Sequence, residues 1–503
     1  MTGPPGSPPF SGRPIRPGRP KAAATSDLTG DGVDDLVVGA GPYQTSRRRP
    51  EQGGSIMLVP GGSGEPRLFS QDEPGSVLGT GEPGDDFGAG LARGDFDGDR
   101  RLDLAVGVPG EDVGPSEDAG AVAILRGGRR GLVPNGGFTQ NTPGVSGKAE
   151  AGDGFGSDLA AGDFDGDGYD DLAVGVPGEG LGKSPGAGMV ALFRGGPGGL
   201  RPGRSLSQRT PGITGGPDAS DFFGTALASG DVTGDGIADL VVTADHERLK
   251  TARSATGIVH LIPGGRGGLV PRASSAASVE RLAVSGVMGD AVTVGRFHGG
   301  PYADVAVYAE RARGAKENSG AVVELRGGPD GISAARSRVI HQGTKGVPGS
   351  GARGDVFGGA LSAADLDGDR HDELIVGAHA KNGGAGAVWV LSGVRRGLEG
   401  RTAVASGADG ALRTAAHSGW ARMVAPGGGM FGIAVTSADR DADGRREVVV
   451  SAPGSGPGLY SFTFAGPGSR IRPVPLRYPA VSQYGPSAPL LGGSTAFLPS
   501  SEP

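Results

Sequence analysis

A short acidic segment followed by an apolar run occurs seven times along the chain at a near-constant interval, and this regularity restricts the fold more than any other feature. The third copy, GDFDGDGYDDLAVGVPGE over 162–179, packs Asp163, Asp165, Asp167, Asp170 and Asp171 into nine residues. The copies begin at Asp27, Asp95, Asp163, Asp231, Arg296, Asp365 and Asp439, at intervals of 68, 68, 68, 65, 69 and 74 residues. Such a period marks units that cannot bury their apolar surface alone and must stack on neighbours.

Each copy repeats one internal order. Eight residues before the acidic loop stands Phe87, Phe155, Phe223, Phe357 or Phe431, with Met288 in the fifth copy. Behind the loop comes an apolar run such as DLAVGVPG, DLVVTA, ELIVGAH or EVVVSAPG. A second run lies between glycines seven apart, as in GAVAILRG (120–127), GMVALFRG (188–195), GIVHLIPG (257–264) and GAVWVLSG (386–393). Five residues further on comes Leu132, Leu200, Leu269, Ile332 or Leu398. These signals predict four short strands per unit, and seven units predict an all-β, seven-bladed β-propeller over residues 21–480. An open solenoid or a string of small domains is the alternative, and the lack of Pro/Ser linkers between copies argues against the string. Residues 1–20, rich in Pro and Arg, and residues 481–503 read as tails. The first unit offers only PKAAATS ahead of its loop, so the closure between first and last blades is left open.

Composition agrees with an unusual repeat: 503 residues with 102 Gly, 39 Pro and 5% aromatics do not resemble three ordinary mixed domains. The chain has no Cys, which excludes a disulfide framework and thiolate metal sites. No window approaches about 18 consecutive apolar residues, so no membrane span is expected. The formal net charge of −7 gives no attraction to nucleic acid, and six bound divalent ions would bring it to about +5.

Carboxylates at this density repel one another, and the simplest remedy is a hard cation among them. Side chains at loop positions 1, 3, 5 and 9 with the carbonyl at position 7 would encircle Ca²⁺. The expected ligands are Asp27, Thr29, Asp31, Asp35 and the carbonyl of Val33; Asp95, Asp97, Asp99, Asp103 and that of Arg101; Asp163, Asp165, Asp167, Asp171 and that of Tyr169. The later loops give Asp231, Thr233, Asp235, Asp239 and the carbonyl of Ile237; Asp365, Asp367, Asp369, Glu373 and that of His371; Asp439, Asp441, Asp443, Glu447 and that of Arg445. An EF-hand would need a bidentate Glu at position 12 and flanking helices, whereas position 12 is Val38, Val106, Val174, Val242, Val376 or Val450 inside an apolar run. Mg²⁺ suits a crowded protein cage less well. Arg100 and Arg370 fill position 6, where Gly would ease the turn. The fifth loop, with Arg296, His298, Gly300 and Asp304, is expected to bind no metal and to pair Arg296 with Asp304.

The order Phe-Gly, DxDxDGxxDL, VGAG or VGVPG resembles the FG-GAP repeat of the integrin α-chain N-terminal propeller and its bacterial relatives. The resemblance implies a seven-bladed propeller, Ca²⁺ in the hairpin loops between the first two strands, and an extracellular address. Without leg-like domains or a span, the chain looks more like a bacterial secreted member. The expected function is a non-enzymatic, calcium-stabilised binding or adhesion module, a monomer that holds a protein or glycan on one propeller face. The alternative is an accessory propeller of, or an enzyme acting on, polysaccharide or lipid. Residues 1–20 show no apolar h-region, so the expectation is a secreted protein whose export signal lies upstream and whose mature chain begins near Lys21.

No catalytic residue is assigned. The seven His form no HExxH pair, and no GxSxG, Walker loop or Cys nucleophile is present. Two RGD tripeptides, at 93–95 and 353–355, fall on framework positions and are expected to be coincidental. Trp420 sits in the longest insert, 401–429, which reads as a solvated loop or a binding loop.

Overall fold

The computed structural model describes residues 25–40, 53–62, 64–72, 78–128, 131–247, 256–405, 413–414, 430–452, 459–463 and 474–475. Both tails, the proposed start near Lys21 and Trp420 lie outside these residues. The described strands form seven antiparallel sheets, each built from consecutive segments, arranged as a seven-bladed propeller with almost no helix. Blade three is typical, with strands Leu159–Gly162, Asp171–Val176, Met189–Arg194 and Arg201–Pro202 in that spatial order. The sixth sheet departs from four strands, adding the two-residue strand Arg413–Thr414 outside Glu399–Ala405.

Seven apolar clusters hold the ring, and each lies between two blades. Leu172, Val174 and Val176 pack toward blade two with Ala92, Val122 and Phe155, whereas Ala173 packs toward blade four with Leu227 and Val242. The second strand is therefore buried on both faces, which is why DLAVGV is a continuous apolar run and all six residues are buried. Closure between the outermost blades, open in the sequence, is made by the same device: Val449 and Leu459 of blade seven pack against Leu36, Val38, Met57 and Val59 of blade one.

The repeated signals acquire distinct tasks. Gly54, Gly120, Gly188, Gly320 and Gly386, which open the third strands, each bridge to the Phe of the following blade. Gly120 has φ +87°, and a Cβ there would stand 2.4 Å from the Phe155 backbone nitrogen, so only glycine allows this approach. The Phe side chains then fill the interblade clusters; Phe87, Phe155, Phe223, Phe357 and Phe431 are all essentially inaccessible. Position 2 of the loop anchors it into the same clusters through Leu28, Phe96, Phe164, Val232, Phe297 and Leu366.

Position 8 ties the loops to one another. Asp170 N–H donates to the Asp95 carbonyl at 3.1 Å, and Asp170 Oδ2 accepts from Asp95 N–H at 2.9 Å. Asp372 makes the same pair with Arg296, at 3.2 and 2.7 Å. Asp34 repeats it with Asp439, both bonds at 3.1 Å, and so closes the ring. Where position 8 is Ala238 or Ala303, only the backbone bond to Asp163 or Asp231 remains.

Candidate metal centres

Each acidic loop is a hairpin between the first and second strands of its blade, where the backbone needs two left-handed residues. Positions 4 and 6 have positive φ, and most are Gly, such as Gly166 (+72°) and Gly168 (+90°). Arg100 (+64°), Arg370 (+70°) and Ala442 (+56°) adopt the same conformation with a Cβ.

The position 1 carboxylate gathers the turn around itself. Asp163 accepts from Gly166, Asp167 and Gly168 N–H at 2.7, 3.1 and 2.9 Å, and Asp231 accepts likewise from Gly234, Asp235 and Gly236. Asp27 does the same with Gly30, Asp31 and Gly32. The position 5 carboxylates of Asp31, Asp99, Asp167, Asp235, Asp369 and Asp443 accept from the N–H of Val33, Arg101, Tyr169, Ile237, His371 and Arg445. Position 9 fixes the loop to the third strand: Asp35, Asp103, Asp171 and Asp239 accept from Gly61, Gly127, Gly195 and Gly264 N–H at 2.8 to 2.9 Å. In these four blades the glycine that closes the third strand thus donates to the acidic loop, which ties the closing glycine to the loop that precedes it.

Carboxylate oxygens converge within 4.8 Å in four of the loops. The groups are Asp95, Asp97 and Asp99; Asp163, Asp165 and Asp167; Asp365, Asp367 and Glu373; and Asp439, Asp441 and Asp443. The two Thr loops are not among the three-carboxylate groups; there Thr29 Oγ1 lies 3.4 Å from Asp35 Oδ1 and Thr233 Oγ1 3.3 Å from Asp239 Oδ1. Burial pushes the Asp171 and Asp103 carboxyls up to about 7 and Glu373 up to about 9, and the neighbouring loop aspartates add to each shift. Asp95 Oδ1 and Glu373 Oε1 are buried and accept no hydrogen bond from the protein. A hard cation supplies what such oxygens lack, so these loops fit Ca²⁺ through oxygen ligands.

Two arginines unseen in the sequence reading lean over loops two and three. Arg126 reaches Asp97 at 2.6 Å and Asp99 at 3.1 Å, and Arg194 reaches Asp165 at 3.6 Å. Both stand just before the closing glycine, a position that could have been noted because the loop and that glycine repeat together. The fifth loop corrects an expectation: Asp304 is paired not with Arg296 but with His298, whose Nδ1 lies 2.8 Å from Asp304 Oδ2. The Arg296 backbone meanwhile binds Asp372 of blade six. Arg93 of the first RGD is buried in the inner strand, and Asp355 of the second is buried against Lys381 at 2.6 Å while its Arg353 is exposed and pairs with Glu317, so neither tripeptide displays both charged side chains.

The family model for the FG-GAP repeat matches residues 20–54, 87–125, 155–193, 223–262 and 357–391. The chain carries FG-GAP repeats. The matched FG-GAP stretches cover blades one to four and six, while the altered fifth unit and the seventh lie outside them. Integrin alpha-4 of Xenopus laevis is 36% identical over 160 residues, 31% of this chain and 14% of that protein. Integrin alpha-PS2 of Drosophila melanogaster is 31% identical over 226 residues, 43% of this chain and 14% of that one. The phosphatidylinositol-glycan-specific phospholipase D of Mus musculus is 31% identical over 203 residues, 40% of this chain and 23% of the other. The chain thus spans less than a quarter of the length of these curated relatives. A solved rhamnogalacturonan lyase from Bacillus licheniformis overlaps 95% of this chain and 76% of its own at 14% identity and a TM-score of 0.41. That overlap is too loose to speak to activity. Among the described residues, no helix is long and apolar enough to cross a membrane.

Proposed function

We propose that this FG-GAP propeller is a calcium-stabilised, non-enzymatic extracellular binding module, monomeric, that presents one face to a protein or glycan. The observation that carries the reading is the convergence of carboxylates in repeated hairpin loops, with orphaned buried oxygens in two of them. Ions in these loops would be structural: each would neutralise a loop and hold the first two strands of its blade against the third. About six Ca²⁺ are proposed, one for each acidic loop, with Asp, Glu or Thr side chains and the position 7 carbonyl as ligands. Loops of three or four carboxylates fill reliably where free Ca²⁺ is about millimolar, which favours an address outside the cell.

A second reading keeps the propeller as an accessory to, or part of, an enzyme acting on polysaccharide or lipid, in line with the similarity to a phospholipase D. Metal analysis of the purified protein, followed by a glycan array and a hydrolase panel on the calcium-loaded form, separates them. Binding without turnover supports the first reading; turnover that survives repurification overturns it.

A further inference from the structure

Blade five has no carboxylate at loop positions 1, 3 and 5, yet it gathers a different set of side chains that could hold a metal. His298, Asp304 and Glu324 place one ligand atom each within 4.8 Å of one another. His298 Nδ1 lies 2.8 Å from Asp304 Oδ2 and 3.7 Å from Glu324 Oε1. All three side chains are withdrawn from solvent, with 11%, 1% and 3% exposure. Ligand atoms about 2.0 to 2.1 Å from a tetrahedral ion stand roughly 3.4 Å apart, so the observed spacing brackets a first coordination shell.

The departure of Glu324 from the blade template carries the inference. Strand register places it opposite Ala306, two residues beyond the loop's ninth position, where the other blades have Leu58, Ile124, Leu192, Leu261, Val390 and, in blade seven, Ser461. A carboxylate at a buried strand position is unfavourable when its charge is unmatched. It occurs in the one blade that also carries His at loop position 3. Two unusual side chains, one from the hairpin loop and one from the third strand, therefore meet at one point, and neither belongs to the FG-GAP calcium pattern.

The surroundings orient both carboxylates. Asp304 Oδ1 accepts from Gly327 N–H at 3.0 Å, and Glu324 Oε1 accepts from Leu398 N–H at 3.1 Å. Arg338 also lies near Glu324, and its guanidinium donates to the Leu398 carbonyl. Gly397 closes the group on its remaining side, since a Cβ there would lie 2.8 Å from both His298 Nε2 and Glu324 Oε1. Backbone donors that hold carboxylates in place are the outer support that metal ligands need.

We propose that His298, Asp304 and Glu324 form a transition-metal site of the Zn²⁺ class in blade five, distinct from the calcium loops. Imidazole with two carboxylates suits Zn²⁺ or Co²⁺ and disfavours Ca²⁺, which takes oxygen ligands in larger number. The ion would replace, in this blade, the staple that Ca²⁺ provides in the others.

The test uses the full chain, stripped of metal and then held in excess Ca²⁺ so that the acidic loops are filled, and adds Co²⁺ or Zn²⁺. The expected result is a single tightly held equivalent, with visible Co²⁺ absorption bands of a low-coordinate site. His298→Gln removes both, and Asp97→Asn, in a calcium loop, leaves them intact. Glu324→Ile restores the kind of side chain that most blades carry and should fold; it is expected to abolish the rise in Tm that Zn²⁺ gives the parent protein. Equal Zn²⁺ content and equal Tm response in the parent and in Glu324→Ile overturn the proposal and leave a metal-free imidazole–carboxylate plug. Neither outcome depends on whether the calcium loops are filled in the cell.

Discussion

In blade three the first hairpin brings Asp163, Asp165 and Asp167 together, with Arg194 3.6 Å from Asp165 as the nearby counter-charge. In blade five the same hairpin has Arg296, His298 and Gly300, and the ninth-position Asp304 is matched by the His298 ring at 2.8 Å. Both hairpins nevertheless keep one staple: Asp171 accepts from Gly195 N–H and Asp304 from Gly327 N–H. The difference separates two roles that blade three merges. The ninth carboxylate is tied to the third strand in both blades, whereas carboxylates at positions 1, 3 and 5 are present in blade three alone, where the proposed ion would lie.

Chelation should produce the largest effect. A site filled at about a hundredfold excess over its Kd contributes about 2.7 kcal/mol, so emptying several sites should lower the Tm by many degrees. A melting curve indifferent to chelator, or purified protein without Ca²⁺, would remove the ion from the account of blade three.

Next in size is Asp304→Ala. It leaves the buried Gly327 N–H and the His298 backbone N–H without their acceptor, each at about 1 to 3 kcal/mol. In protein stripped of metal the loss should be similar with and without added Ca²⁺, while Asp165→Ala should cost stability only when Ca²⁺ is present. If both variants respond to chelator alike, the two hairpins are not different in kind. Within the calcium loops, Asp165→Ala should cost more than Thr29→Ala, because a charged ligand is lost rather than a hydroxyl.

A pH effect is expected from the opposite end of the same blades. Blade three buries Asp153 beside Glu179, with Gln140 Nε2 donating to Glu179 at 2.6 Å; blade five has Gly286 and Ala312 at the equivalent positions. Blades two and four repeat the acidic pair as Asp85 with Glu111 and Asp221 with Glu247, and blade six replaces the Glu by Lys381, 2.6 Å from Asp355. Burial pushes Asp153, Glu111 and Glu247 up to about 7. A carboxyl raised on folding stabilises most at low pH, and that contribution fades as pH climbs through the folded value. The calcium-saturated protein should therefore melt at lower temperature as pH rises from about 5.5 to 8. Glu179→Gln should flatten part of that slope, and an unchanged slope would show that the pair carries no shared proton.

The smallest effect is local. Arg100 and Arg370 hold left-handed backbone at position 6, where blade three has Gly168. Arg100→Gly should gain up to about 1 kcal/mol by relieving that conformation, read as a small rise in denaturant midpoint. A loss instead would mean that the arginine contributes a contact worth more than the strain.

Strand number, blade number and the acidic hairpins were legible because each is a local pattern repeated in register: a loop, a run of apolar residues, a pair of glycines. Repetition averages away the ambiguity that a single short strand would carry. Partners were not legible. Asp170 reads as one more carboxylate of its loop, yet it binds the backbone of Asp95 in the preceding blade. No repeated signal marks Glu324, yet it is buried beside His298. The DLAVGV runs and the Phe-Gly pairs announce burial, but only the packed ring shows that both faces are covered and that Asp34 closes it onto Asp439. A chain determines by itself what depends on neighbours in sequence. Charge pairing across blades, some 70 residues apart or at opposite ends of the ring, is decided only when burial removes water and each ionised group must find its counterpart in the protein.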